Sequence, residues 1–191
     1  MKRIGHAALA LLLWATPILA HDIDRKVAAS GFVAGHFVPP DVALVDQNGQ
    51  PRHFVSDIGK GHRVVISFFY ANCSTLCPLS NLVMAQLVGK AFDGEGKPVR
   101  LVSLTVDPRR DTPAVIGELA HSLGAREDWI WLTGSPRDIR TLTHALGMRY
   151  DRPEDHGVLF IVGDTDSGHF VSTSGMPSAE QLLGELQRIE D

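Results

Sequence analysis

The two cysteines of this 191-residue chain, Cys73 and Cys77, lie together in the segment FFYANCSTLCPLS. Three residues separate them, one more than in the CxxC motif, whose two thiols exchange electrons on a tight turn. The wider spacing also suits two sulfur ligands on one metal ion. A structural disulfide here would close a very short loop and remove little entropy from the unfolded chain. The pair therefore indicates redox or metal chemistry, and the spacing alone does not choose between them.

The segment before the cysteines has the composition of a buried strand. Arg63 to Tyr70 (RVVISFFY) is a continuous apolar run, as in strands that are covered on both faces. Pro78 suits the first turn of a helix, which places Cys77 at or near the helix N-terminus. Free backbone N–H groups and the positive end of the helix dipole favour a thiolate there. Ligands of α/β proteins collect at this carboxyl end of the strands, so we expect a functional site at the cysteines.

Two thiolates rarely complete a metal site, and histidine is the commonest additional ligand. The chain contains nine histidines. Six of them fall on predicted loops or helix faces, where an ordinary surface or capping role is expected: His36, His53, His62, His121, His144 and His169. His156 differs because it immediately precedes the apolar strand 158–162. In a thioredoxin-like arrangement that strand runs antiparallel beside the strand 63–70, which would bring His156 to the two sulfurs.

Apolar runs of strand length alternate with helical patterns along the rest of the chain. Further strands are predicted at 99–106 and 129–132, and helices begin near Pro78, Pro113, Pro136 and Ser178. A hairpin is predicted around Asn48-Gly49, because Asn-Gly is a favoured two-residue turn between antiparallel strands. This order predicts one α/β domain, in which helices flank a central mixed sheet with an N-terminal β-hairpin extension.

The first 20 residues have the pattern of a secretory signal peptide. A basic start (MKRIGH) precedes an apolar run, and Ile18-Leu19-Ala20 resembles a cleavage site. The run is short for a membrane span and contains Pro17, so an uncleaved anchor in the inner membrane is the alternative. We predict export to the periplasm, which oxidises neighbouring cysteines. Residues 21–36 have little periodicity and are predicted to be a flexible lead-in.

The charge of the chain argues against one class of partner. Its formal net charge is −4, and no basic patch interleaved with aromatic residues is present in the sequence. Nucleic-acid binding is therefore not expected.

Four motifs together resemble the Sco/SenC copper-protein family. FFYANCSTLCPLS (68–80) is similar to the family's FxYTxCxxxCPxT segment, and LVSLTVDPRRDTP (101–113) is similar to its DPxxDTP strand-and-helix entry. WLTG (131–134) matches an LTG strand, and Asp155-His156 precedes the apolar strand where the family keeps a ligand histidine. The order and spacing of the motifs agree from about Phe37 to Ser172. CxxxCP alone would be a weak signal, but the four motifs in this order are specific.

The resemblance implies a thioredoxin-like copper-binding domain over residues 37–191. One copper ion would be bound by Cys73, Cys77 and His156, as Cu(I) or, with a further oxygen or nitrogen donor, as Cu(II). The implied role is to deliver copper to the CuA centre of cytochrome c oxidase, or to prepare that centre. The implied partners are subunit II of the oxidase or another copper-accepting protein, together with a copper donor protein. The Cys73–Cys77 disulfide would be the form that cannot bind copper.

Three carboxylates near the predicted site have less specific signals. Asp107 is a candidate to accept a hydrogen bond from a metal ligand, or to be a weak fourth ligand. Asp155 is a candidate to orient His156. Asp111 precedes Thr112-Pro113 at a helix start, so we expect it to cap that helix.

An enzyme remains the alternative to a copper carrier without turnover. A thiol-disulfide oxidoreductase acting on exported cysteine pairs would need only Cys73 and Cys77. A peroxidase of the same fold class is disfavoured because Thr75 lies two residues before Cys77, which is not the TxxC spacing of such enzymes.

Overall fold

A computed structural model describes residues 31–90 and 96–189. The predicted signal peptide and most of the predicted lead-in lie outside the described residues. The strands are β1 (Val33–His36), β2 (Ala43–Asp46), β3 (Pro51–His53), β4 (Arg63–Phe69), β5 (Val99–Thr105), β6 (Trp129–Gly134), β7 (Phe160–Asp164) and β8 (His169–Thr173). The helices are α1 (Cys77–Ala85), α2 (Pro113–Ser122), α3 (Pro136–Ala145) and α4 (Ala179–Arg188). Within the two described ranges, no helix is long and apolar enough to cross a membrane.

The strands form one mixed sheet in the order β1-β8-β7-β4-β5-β6-β2-β3. Its centre is parallel, since β4 pairs with β5 and β5 with β6 in the same direction. β7 pairs antiparallel with β4, as predicted, with Ile66 opposite Ile161. The predicted hairpin is also confirmed: β2 and β3 pair antiparallel, and β2 joins the sheet beside β6. Gly49 closes the hairpin turn with a φ of 76°, a conformation that glycine adopts without strain.

Both faces of the central strands are buried, as the continuous apolar run at 63–70 predicted. Val65 and Phe69 of β4 belong to a cluster that includes α1, α2 and α4. Val64, Ile66 and Phe68 face the other side, where α3 and a π-helical turn at Phe54–Gly59 cover the sheet. Alternate residues of one strand thus enter two separate cores, because successive side chains of a strand point to opposite faces.

The structure differs from the sequence-based expectations at several element bounds. Residues 33–36, part of the predicted flexible lead-in, form β1 on the edge of β8; all four are exposed, so they lack the apolar pattern by which a strand is recognised. The apolar spacing after Pro78 predicts a helix to about residue 91, but α1 ends at Ala85 and turns follow through Lys90, with Gly89 at a φ of 75°. β7 begins at Phe160 rather than Val158, because the ladder with β4 starts there.

Gly163 in β7 is required by a close approach of Phe170 in β8. A Cβ atom at position 163 would overlap the Phe170 ring, which also stacks on Phe37 with ring centroids 4.2 Å apart. Gly163→Ala should therefore lower the free energy of unfolding by about 1–3 kcal/mol, measured by urea denaturation. Gly184→Ala in α4 is the control, because a Cβ there meets nothing within 4 Å. That variant should be neutral or stabilised by up to about 1 kcal/mol; equal effects at both positions would contradict the close approach.

Candidate metal centre

The structure brings Cys73, Cys77 and His156 together at one end of the sheet. Cys73 lies in the loop after β4, Cys77 is the first residue of α1, and His156 follows a 3₁₀ turn at Pro153–Asp155. Because β7 is antiparallel to β4, the chain entering β7 meets the chain leaving β4. One donor atom from each residue lies within 4.8 Å of the other two. In the described ranges, no other group of three or more histidine, cysteine or acidic residues converges in this way.

The two cysteines form a disulfide, with Cα atoms 5.8 Å apart. They differ in exposure: Cys77 is buried at 3% exposure in the core under α1, whereas Cys73 is half-buried. The Cys77 N–H donates to Cys73 Sγ over 3.3 Å. The helix N-terminus therefore supports the sulfur of Cys73, the more accessible cysteine, and would stabilise its thiolate after reduction.

His156 presents one defined nitrogen to the sulfurs. Its Nδ1 lies 3.0 Å from the carbonyl oxygen of Gly157. A carbonyl can only accept, so Nδ1 carries the proton and the neutral ring leaves a lone pair on Nε2. Nε2 lies 3.6 Å from Cys77 Sγ. The imidazole and the Tyr70 ring are in a T-shaped contact, with centroids 5.6 Å apart. Burial lowers the pKa of His156, and the Gly157 hydrogen bond offsets part of that shift, so the ring is held neutral and able to bind a metal.

Asp111 anchors the cysteine loop, a role that the sequence did not reveal. Thr112, not Asp111, caps α2, since the Thr112 side chain accepts from the Val115 N–H. The Asp111 carboxylate instead accepts from the N–H of Ala71, at 3.1 Å, and from the Thr105 hydroxyl. It is 1% exposed, and desolvation raises its pKa. In the sequence, Asp111 is marked only by its position between a buried strand and a helix start. An aspartate in that position is equally typical of a helix cap.

Asp107 and Asp155, the two carboxylates predicted to support the metal ligands, both accept hydrogen bonds from arginines. Asp107 accepts from Arg110 over 2.8 Å, and its own N–H donates to the Thr105 hydroxyl. Asp155 accepts from Arg152 through both of its oxygens and is exposed. The hydrogen bond that orients His156 goes to the Gly157 carbonyl, and neither carboxylate belongs to the converging group of donor atoms.

The anchoring role of Asp111 predicts a specific loss of stability. Asp111→Ala would leave the half-buried Ala71 N–H and the buried Thr105 hydroxyl without this acceptor, which should cost about 1–3 kcal/mol in urea unfolding. Hydrogen exchange of the Ala71 amide should accelerate at the same time. The control is Asp155→Ala, which removes an exposed pair with Arg152 and should leave both measurements unchanged. Unaltered exchange at Ala71 in Asp111→Ala would contradict the anchor.

The neutral state of His156 predicts a pH dependence in the oxidised protein, where the cysteines do not titrate. Because the pKa of His156 is lowered by folding, the unfolded chain binds more protons at this residue. The free energy of unfolding should therefore fall as the pH drops through about 6.5 towards the folded-state pKa. Urea unfolding of wild type and His156→Gln from about pH 8 to about pH 5 measures this. The stability of wild type relative to the variant should decrease on acidification, and a constant difference would contradict the lowered pKa.

Comparison with known proteins agrees with this geometry. The sequence model of the SCO1/SenC family matches residues 35–189, which is most of the chain. The chain belongs to the SCO1/SenC family. A protein of Stutzerimonas stutzeri named "Putative copper-binding protein" is 32% identical over 158 residues, covering 77% of this chain and 76% of the relative. The SCO2-like protein of Rickettsia felis is 30% identical over 131 residues, and the match spans only 58% of that longer relative.

A solved member of the family shares the fold. The copper-bound structure of ScoI from Bradyrhizobium japonicum is 26% identical, with a TM-score of 0.62, and the match covers 81% of this chain and all of that one. This similarity confirms the family resemblance and the thioredoxin-like fold class that the motifs implied.

Proposed function

We propose that the protein is an exported copper carrier that binds one copper ion through Cys73, Cys77 and His156. The convergence of these three donor atoms within 4.8 Å carries the proposal. Membership of the SCO1/SenC family and the copper bound by the Bradyrhizobium relative support it. The acceptor would be the CuA centre of cytochrome c oxidase, as the family resemblance implies, or another exported copper protein.

The donor set fits Cu(I). Two thiolates are soft ligands that select Cu(I) among the available ions, and an imidazole nitrogen completes a three-coordinate site. The Gly157 carbonyl fixes the His156 tautomer, so Nε2 faces the sulfurs before any ion arrives. Such an orienting hydrogen bond on the far nitrogen is the usual support of a metal-bound histidine. Cu(II) would require a further oxygen or nitrogen donor.

The disulfide controls whether copper can bind. In the disulfide each sulfur is bonded to the other, so neither is a thiolate ligand. Reduction adds two electrons and two protons to give two thiols, and an exported dithiol would supply both while forming its own disulfide. Copper then binds as the thiol protons are released. Copper loading therefore depends on the redox state of the pair.

The unequal exposure of the ligands suits delivery rather than permanent storage. Cys77 is buried, while Cys73 and His156 are half-buried, so a partner's thiolates can approach the ion from the Cys73 side. Ligands would be exchanged one at a time while Cys77 holds the ion. Because copper is the cargo, the protein would not turn over a small-molecule substrate. We place this delivery in the periplasm, with a membrane-anchored form facing the periplasm as the alternative.

The three-ligand site predicts which side chains determine copper affinity. Reduced wild type should bind one equivalent of Cu(I) in competition with a chromogenic chelator. Cys73→Ser, Cys77→Ser and His156→Ala should each weaken binding at least about tenfold, equivalent to about 1.4 kcal/mol. His121→Ala, which alters an exposed histidine of α2, is the control and should bind like wild type. Full retention of affinity in His156→Ala would contradict the three-ligand site.

A thiol-disulfide oxidoreductase is the second candidate, supported by the disulfide with its accessible Cys73 sulfur. The same variant separates the two functions, because disulfide exchange needs the two cysteines and not the imidazole. If His156→Ala still supports full assembly of the partner's copper centre while Cys73→Ser abolishes it, disulfide exchange rather than copper binding is the function. The two chemistries are compatible, since a partner's cysteines must be reduced before they accept copper.

A further inference from the structure

Two histidines lie opposite each other at the edge of the sheet. His36 is the last residue of β1, His169 is the first residue of β8, and the antiparallel register places them directly opposite each other. Opposite residues of an antiparallel pair project from the same face, with Cβ atoms about 4.5–5.5 Å apart. We propose that His36 and His169 form a second metal site, for a divalent ion such as Cu(II), Ni(II) or Zn(II).

The spacing of the two rings fits a shared ion. Their centroids are 5.2 Å apart and the ring planes are inclined by 75°. With metal–nitrogen bonds of about 2.0–2.1 Å, two imidazoles at a roughly tetrahedral angle have centroids about 5 Å apart. An ion can therefore bind between the rings after side-chain rotation, without separation of the strands. Both residues are exposed, so the ion can enter from solvent and water can complete its coordination.

The surroundings leave the two imidazoles available. His53 lies beside Asp57, and both nitrogens of His62 are in contact with Lys60 and Arg100. In the part of the chain that the structure describes, the rings of His36 and His169 contact each other and form no such polar bond. Gly168 leaves room for the His36 ring, because a Cβ there would lie 3.1 Å from Nε2 of His36. Gly168 also has a φ of 74°, a conformation that favours glycine.

This pair is separate from the cysteine centre. Asp164 is paired with Arg63 at the start of β4, and His169 follows the turn after Asp164. Cys73, in contrast, follows the end of β4. The seven residues of β4 span roughly 20 Å at about 3.3 Å per residue, so one ion cannot serve both sites. The ligand chemistry also differs. Two imidazoles without a thiolate suit divalent ions, and Cu(II) should bind to them more tightly than Ni(II) or Zn(II).

The test uses the full-length oxidised protein, in which the Cys73–Cys77 disulfide removes both thiolate ligands. Zn(II) is titrated calorimetrically and the histidine ring resonances are followed by NMR. We expect one equivalent of Zn(II) to shift the resonances of His36 and His169 together. His36→Gln and His169→Gln should each weaken binding at least about tenfold, and the double variant should be no weaker than either single one. Cu(II) should bind more tightly than Zn(II).

The control is His121→Gln, which changes an exposed helical histidine and should leave the affinity unaltered. Cys73→Ser/Cys77→Ser should also keep this site, so a failure here is distinguishable from a failure of the copper-carrier proposal. Thermal unfolding of each glutamine variant checks that β1 and β8 remain folded. Unchanged Zn(II) affinity in either His36→Gln or His169→Gln would overturn the proposal, because a shared site requires both rings.

Discussion

The antiparallel pairing of β7 with β4 is the constraint on which the candidate metal centre depends. The cysteine loop leaves the carboxyl end of β4, and His156 enters at the amino end of β7. A parallel β7 would place the histidine at the other end of a strand roughly 20 Å long. The backbone hydrogen bonds of two buried strands therefore bring together ligands that are 79 residues apart in the sequence.

The loop that carries the cysteines is held by a buried carboxylate rather than by apolar packing alone. Asp111 connects the loop after β4 to Thr105 at the end of β5, and its burial makes each of these hydrogen bonds costly to lose. These bonds fix the backbone at Ala71, two residues before Cys73. The DPxxDTP motif thus contacts the loop that carries the candidate ligands and not the candidate site itself.

The electrostatics of the centre are compatible with both of its redox states. The N–H of Cys77 supports the sulfur of Cys73, while burial keeps His156 neutral, so no positive imidazolium opposes the approach of a cation. The disulfide is uncharged, and the reduced pair would release its thiol protons as an ion binds, so the charge of the ion would neutralise the two thiolates. The same few contacts can therefore serve a closed disulfide and an open metal-binding state.

The sequence by itself determined the local features of the protein. The buried strand at 63–70, the hairpin around Asn48-Gly49 and the position of Cys77 at a helix start all follow from residue type and spacing, which act over a few neighbours. The motifs also identified the family. From residue type and spacing alone, His156 could be selected only by assuming a strand order, and the family resemblance implied the same residue.

Tertiary structure decided the features that require distant partners. It showed that His156 Nε2 faces Cys77, that Asp111 anchors the cysteine loop and does not cap α2, and that residues 33–36 complete the sheet edge. These results depend on which strands are neighbours and in which direction they run. Pairing between strands is set by contacts across the whole fold, so no short segment contains that information.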